Sequence, residues 1–334
     1  MKTTKFFTSL FVAGLLAANV SVASAKELRL SAAPPPASPW GKIILKFTDK
    51  VAEVSGGKLT VKPFLGSKLG SEQDVVKQIA RGRIDMGVMS NTAVSLLVPE
   101  FSLLASPYAF SSPEEFDCVA DEHLLDTFGE DFAAAGIRTL SWMEVGYQVI
   151  FSTDPELKTP AALSGQKIRS APSPTDSRFI AATGATSVPM SPKDTVPALK
   201  TGQVKAATMV SVFGMATGYP KVAPNIILTR HQHQVGGVII SSKTWDSLSE
   251  EEQGWLNEAA PDFLALRKVI RGAEGALLKK MAKEGATVVE LTEDELAQWK
   301  ALVPDAQKTI LEDMGGKAVE KWDAIQAARK ACQS

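Results

Sequence analysis

One rhythm occurs twice in this chain, and it fixes most of what the chain can become. Residues 76–91, VKQIARGRIDMGVMSN, and residues 196–211, VPALKTGQVKAATMVS, align so that Gly82 pairs with Gly202, Ile84 with Val204 and Met89 with Met209. In each, an amphipathic helix stops at a glycine able to adopt positive φ, and a strand begins two residues later. The strand then leads to small polar residues, Ser90 and Asn91 in the first copy and Ser211 in the second. Two similar α/β lobes in one chain predict a cleft between them.

The second copy belongs to a βαβαβ run from Leu163 to Phe213. The strand Gln166–Arg169 is followed by a helix over 173–183, with Ser173 as its N-cap and Gly184 as its stop. A short strand at Thr186–Pro189 follows, then a helix closing at Gly202 and a strand entering Val204. Strands alternating with helices of this length predict a parallel sheet, whose ligands sit at the carboxyl ends of the strands. Arg169 stands at such an end, beside Pro172 and Pro174. It is either a solvated loop arginine or a carboxylate clamp.

Residues 1–25 read as a leader rather than as part of the fold. Lys2 and Lys5 precede an apolar run, and Ala23-Ser24-Ala25 supplies small residues for cleavage before Lys26. An exported, soluble, periplasmic protein that is not inserted in the membrane is expected, and no later stretch reaches spanning length without charges. Removing two lysines takes Lys+Arg from 36 to 34 against Asp+Glu 37, so the net charge moves from −1 to −3. That argues against nucleic acid as a partner. Cys118 and Cys332 are the sole cysteines; in an oxidising compartment they either pair or remain a buried thiol and a free terminal one.

Between the leader and the first repeat, Leu28–Ser31 reads as a strand running into a stiff loop with prolines at 34, 35, 36 and 39, then Trp40. Trp40 is either a ligand-facing aromatic or a core plug. Ile43, Ile44, Phe47, Val51 and Val54 then follow at helical spacing, stopped by Gly56 and Gly57. Far along the chain, 250–284 carries a long helical pattern that Pro261 should kink or break.

These segments resemble, in order and spacing, the solute-binding proteins of tripartite ATP-independent periplasmic (TRAP) transporters. The likeness is carried by Ser55-Gly-Gly-Lys-Leu, Leu69-Gly-Ser-Glu, Arg81-Gly-Arg-Ile-Asp-Met-Gly87 and Pro107-Tyr-Ala-Phe110. It continues through Leu163–Arg169, Gly184–Met190, Ala198–Gly202 and Trp245–Gln253, and so spans nearly the whole mature chain. The resemblance implies an α/β, two-lobed periplasmic binding protein, each lobe a mixed sheet flanked by helices, with a long helix spanning both lobes. It implies closure on an organic acid whose carboxylate meets Arg169, and delivery to the membrane subunits of a transporter. The lobes are expected to comprise 26–145 with 235–275, and 146–234 with 276–334. A monomer without a cofactor is expected.

Departures from the family pattern bear on the ligand. Many relatives carry a further arginine after a glycine and an aromatic residue, where this chain has Gly146-Tyr147-Gln148. Met209 falls where relatives have asparagine, and Pro192 where an aromatic is usual. Small dicarboxylates, sugar acids and sialic acid, which need several polar contacts, are disfavoured by these changes. The expected ligand is a monocarboxylate with a substantial apolar portion. The candidate binding residues are Arg169, Gln148, Tyr147, Trp40, Asn91, Met209, Phe213 and His231.

Three other readings are weaker. His231-Gln-His233 places two imidazoles on one strand face, but a transition-metal site needs a third and usually a fourth ligand, and none lies at a diagnostic spacing. Ser164-Gly-Gln-Lys167 and Lys200-Thr-Gly202 imitate boxes of penicillin-recognising hydrolases, yet no Ser-x-Asn lies between them and Ser164 precedes a strand rather than opening a buried helix. No enzyme is therefore expected. A periplasmic ligand-sensing protein that docks on a receptor would have the same fold.

Overall fold

The computed structural model describes residues 25–333. The leader reading therefore lies, but for Ala25, outside the described residues. Nine strands form one hydrogen-bonded sheet in the order β2-β1-β3-β8-β4-β7-β5-β6, with β9 pairing to β8. They are β1 (Lys26–Ala32), β2 (Leu59–Phe64), β3 (Met86–Ser90), β4 (Ile137–Ser152), β5 (Lys167–Ser170), β6 (Thr186–Pro189), β7 (Ala206–Val210), β8 (Asn225–Ser241) and β9 (Thr287–Val289).

The repeat is visible in how these strands pair. In the first half, β1 lies parallel to both β2 and β3, and β3 is antiparallel to the late part of β8. In the second, β5 lies parallel to both β6 and β7, and β7 is antiparallel to the late part of β4. The helix-stopping glycines Gly82 and Gly202 have φ of 73° and 72°, a left-handed conformation that glycine adopts without a side-chain penalty. Ile84 and Val204, just beyond them, are both buried.

β4 and β8 are the long members, 16 and 17 residues, and they run antiparallel through both halves. Their register shifts between Glu144 and Gly146. Such an extra residue bends its strand and reverses which side chains face each way. Gly146 takes φ 110°, and a Cβ there would stand 3.2 Å from Val210 Cγ1 and 3.3 Å from Ile270 Cγ2.

The long helix behaves as expected at Pro261. Helix Glu250–Ala259 gives way to a 3₁₀ turn over Ala260–Ala265 and then to helix Leu266–Lys283. Proline cannot supply the backbone donor that an uninterrupted α-helix requires. Leu266 and Ile270 of the last segment pack in the first-half core with Leu30, Phe47 and Phe263. Leu278 and Met281 pack in the second-half core with Val149, Phe151 and Met209.

One grouping differs from the sequence reading. Residues 276–334 were expected in the second lobe, but helix Ala318–Cys332 lies on the first. Its Ala318, Ile325 and Ala328 join a core with Phe116, Val119 and Phe128. Cys332 is disulfide-bonded to Cys118 across 214 residues, and Arg329 Nε donates to Glu115 Oε1 at 2.7 Å. Packing against a partner more than two hundred residues away leaves no local signal.

Two outcomes follow from these contacts. Gly146→Val should destabilise the fold by about 1–3 kcal/mol, since it combines a positive φ with crowding against Val210 and Ile270, and urea titration would read this as a lower midpoint. Cys118→Ser should lower stability by about 2–4 kcal/mol through loss of the long cross-link, with a matching effect on the wild type when it is reduced.

Candidate functional site

The cleft between the two halves narrows to a cavity of about 80 Å³, and each wall is built by recognisable local chemistry. On the first wall, the proline loop ends at Ser38, whose Oγ caps helix Pro39–Val54 by accepting from Gly41 N at 3.1 Å. This fixes Trp40, which is 1% exposed and donates from Nε1 to Glu144 O at 2.9 Å. The indole meets Phe213 of the second half edge to face, with centroids 6.0 Å apart. Trp40 is packed in the core and also lines the cavity.

Glu72 begins helix Glu72–Ala80 after the cap Ser71, and also lines the cavity. Its carboxylate accepts from Ser90 N at 3.2 Å and Ser90 Oγ at 2.8 Å. Burial pushes the Glu72 carboxyl above its ordinary range, against the pull of the two Ser90 bonds toward the anion.

On the second wall, Arg169 lies on β5 opposite Ala207 of β7, and it is 2% exposed. Nε and Nη2 donate to Met190 O at 3.1 and 2.7 Å, and Nη1 donates to Thr208 O at 2.5 Å. Three of the five guanidinium donors are thereby committed to main-chain carbonyls, leaving two. No carboxylate of a described residue lies within 4.0 Å of this guanidinium. Burial pushes the group below its ordinary value, while the charge fields of Tyr219 and Asp176 oppose that; an arginine nonetheless stays protonated.

The crossing strands supply the floor. Gln148 and Gln232 are direct cross-strand partners, and Gln148 Nε2 donates to Gln232 Oε1 at 2.9 Å. Gln234 Nε2 donates to the same oxygen at 3.1 Å. Met143 precedes the bulge, Val145 is its unpaired extra residue and Gln148 follows it, yet all three line the cavity. The extra residue switches the side-chain alternation, so even positions of β4 take over the floor.

Of the sequence candidates, Arg169, Gln148, Trp40, Met209 and Phe213 line the cavity. Tyr147, Asn91 and His231 do not. Tyr147 alternates with Gln148 and so faces the other way, stacking on His233 with centroids 4.5 Å apart. His231 is buried against Phe179 and Trp299, with Nδ1 2.7 Å from Thr229 Oγ1. Asn91 is buried at the start of a short helix, between Ser90 and Thr92, which do line the cavity. Glu72, Gln73 and Gln234 also line it without having been singled out. Gln234 was legible in principle, since His231 and His233 on one face of a strand put Gln232 and Gln234 on the other. Ser164, Lys167 and Lys200 of the hydrolase-like boxes lie outside the cavity. No group of three or more histidine, cysteine or acidic residues suited to a metal ion occurs among the described residues.

The family model for bacterial extracellular solute-binding protein, family 7 (DctP), matches residues 30–313. The chain belongs to this family. It is 26% identical over 290 residues to the 2,3-diketo-L-gulonate-binding periplasmic protein YiaO of Escherichia coli, covering 86% of this chain and 88% of that one. Among solved structures, a TRAP periplasmic solute-binding protein from Bradyrhizobium, in complex with D-galacturonate, superposes with a TM-score of 0.83 at 27% identity, covering 90% and 100% of the two chains. Another from Ochrobactrum anthropi, with its C-terminus bound in the ligand pocket, gives 0.78 at 28% identity over 92% and 97%. The DctP-family protein described here is thus a two-lobed TRAP solute-binding protein, whose relatives bind small organic acids and work with membrane subunits. No helix among its described residues is long and apolar enough to cross a membrane.

Ser90→Ala should raise the Glu72 carboxyl further, because it removes one of the two bonds that favour the anion. Carbon-detected NMR titration of the Glu72 carboxyl would follow this, and an unchanged titration would show that Ser90 does not hold that charge.

Proposed function

We propose that this protein captures a monocarboxylate with an apolar portion, and that the carboxylate docks on Arg169. The observation that carries the reading is a buried guanidinium at a cavity wall with no carboxylate of a described residue within 4.0 Å. The field of the buried Asp176 acts on this guanidinium without direct contact, and an anionic ligand touching it would further lower the cost of burying the charge. The backbone carbonyls of Met190 and Thr208 hold the guanidinium in one orientation before the ligand arrives. Two parallel donors then match the two oxygens of a carboxylate.

The apolar portion has a place in the same cavity, among Trp40, Val88, Met143, Val145, Met209 and Phe213. A second carboxylate is poorly served. It would meet the neutral Gln148 and the thioether of Met209, with the Glu72 carboxyl on the facing wall, and would lose several kcal/mol of hydration without a charge partner. Relatives that bind uronates or diketogulonate also hold acids with a single carboxylate, which supports the reading at that level.

Capture is by closure of the two halves about the crossing strands, near the Glu144–Gly146 register shift and the facing Gln234–Val235 segment of β8. The protein then acts as a monomer, after cleavage following Ala25, and hands the acid to the membrane subunits of a TRAP transporter.

Titration calorimetry tests the ligand class. Hexanoate or benzoate should bind more tightly than succinate or D-galacturonate, and a preference for the dicarboxylate or the sugar acid would overturn the assignment. With the ligand so found, Arg169→Ala should weaken binding by about 2–5 kcal/mol, roughly thirtyfold to several thousandfold. Arg169→Lys should lose less but remain clearly weaker than wild type, because an ammonium cannot offer the planar fork. Affinities within about threefold of wild type, with the fold intact by circular dichroism, would place the carboxylate elsewhere. Small-angle scattering should show compaction at saturation.

A further inference from the structure

The cavity beside Arg169 opens into a larger one. Ala33, Glu72, Pro192 and Phe213 line it and also line a second cavity of about 390 Å³, so the two spaces share a neck. Their sizes differ enough to decide what fits. At about 10 Å³ for each water-sized group, the inner 80 Å³ holds at most about eight of them, whereas the outer 390 Å³ holds at least about a dozen even at about 30 Å³ each. An acid whose carboxylate sits on Arg169 and whose apolar portion is substantial outgrows the inner cavity, and the neck is its way out.

The outer walls are tied down on both sides. On the first half, Gly66 N and Ser67 N donate to Pro34 O and Ala32 O at 3.0 and 3.1 Å, which fastens the loop after β2 to the proline loop. On the second, Tyr219 Oη donates to Pro192 O at 3.2 Å and holds the start of helix Pro192–Lys200. Three hydroxyls on these walls are already spent within the protein: Ser71 donates to Asp74, Ser191 to Asp194 and Thr217 to Phe213 O. An apolar chain laid across them, beside Pro35, Val196 and Pro197, strands none of these donors. Lys193 is exposed at the rim, where its ammonium stays in water. We propose that the outer cavity is a tail subsite, and that the ligands of this protein are elongated monocarboxylates whose chain or ring passes Pro192 and Phe213 and ends between Pro35 and Val196. This rests on the carboxylate reading above and extends it. Because the walls come from both halves, closure grips the tail as well as the head.

The test is titration calorimetry with butanoate, hexanoate, octanoate and decanoate on wild type, Val196→Phe and Thr217→Phe, two substitutions that fill the outer cavity from different elements. In wild type, octanoate should bind at least about fivefold more tightly than hexanoate, and decanoate no more weakly than octanoate, since each methylene taken from water adds about two- to fourfold. Each filled variant should lose about tenfold or more for octanoate, while butanoate and hexanoate stay within about threefold of wild type because they do not reach the filled space. The short acids thereby report that the fold and the inner cavity are intact. Should one variant not fold by circular dichroism, the other decides. No gain from hexanoate to octanoate in wild type, or a gain that survives in a folded filled variant, would overturn the tail subsite and leave Arg169 as the carboxylate anchor. Octanoate that binds Arg169→Ala as tightly as wild type would instead overturn the carboxylate reading, and this proposal with it.

Discussion

Everything in this molecule hangs on the antiparallel pairing of β4 with β8. Neither half closes its own sheet; each borrows one end of both long strands, β3 pairing to late β8 and β7 to late β4. The hydrogen bonds that join the halves are therefore the same bonds that complete each half. A cleft at that seam is the geometric result, because helices cover the sheet on either side but the strand ends of the two repeats face one another across it.

The bulge at Glu144–Gly146 makes that seam asymmetric along its length. Up to and including the extra residue, Met143 and Val145 give the cavity apolar side chains; after it, Gln148 gives an amide. One inserted residue thus changes the floor from methionine and valine to amide. The neighbouring face of the same strands is polar in a different way: His233 meets Glu144 at 2.6 Å, and Glu144 meets Arg271 at 2.8 Å. Arg271 is in turn held bidentately by Asp117. Here each charged group has a counter-charge in direct contact, whereas Arg169 has no carboxylate of a described residue within 4.0 Å.

Much of the fold was legible because it is local. Serine caps, glycine stops and the change from helical to strand periodicity located the βαβ units around 76–91 and 196–211, and Pro261 marked a real break. Residues that line the cavity were legible where a strand end carried a charge, as at Arg169, or where an aromatic followed the proline loop, as at Trp40. Tyr147 and Gln148 were both candidates, but adjacent strand residues face opposite ways, and a bulge between strands too far apart in sequence to be paired by eye decided which one faces inward. The pairing of Cys118 with Cys332 and the placement of the last helix were beyond local reasoning for the same cause. They depend on which surfaces meet after folding.

The disulfide between Cys118 and Cys332 encloses nearly two thirds of the polypeptide, both crossing strands included. A covalent ring of that size costs much of the chain's freedom when it closes, so it forms readily only after the native surfaces have already brought its ends together. Before that, the last helix is held by the contacts of Arg329, Lys321 and Lys317 and by its apolar stripe. In a reducing compartment the Cys118 and Cys332 segments are held together only reversibly, and an oxidising one seals them. The bond records where the protein has been, and a chain that carries it can no longer be threaded end first through a narrow channel.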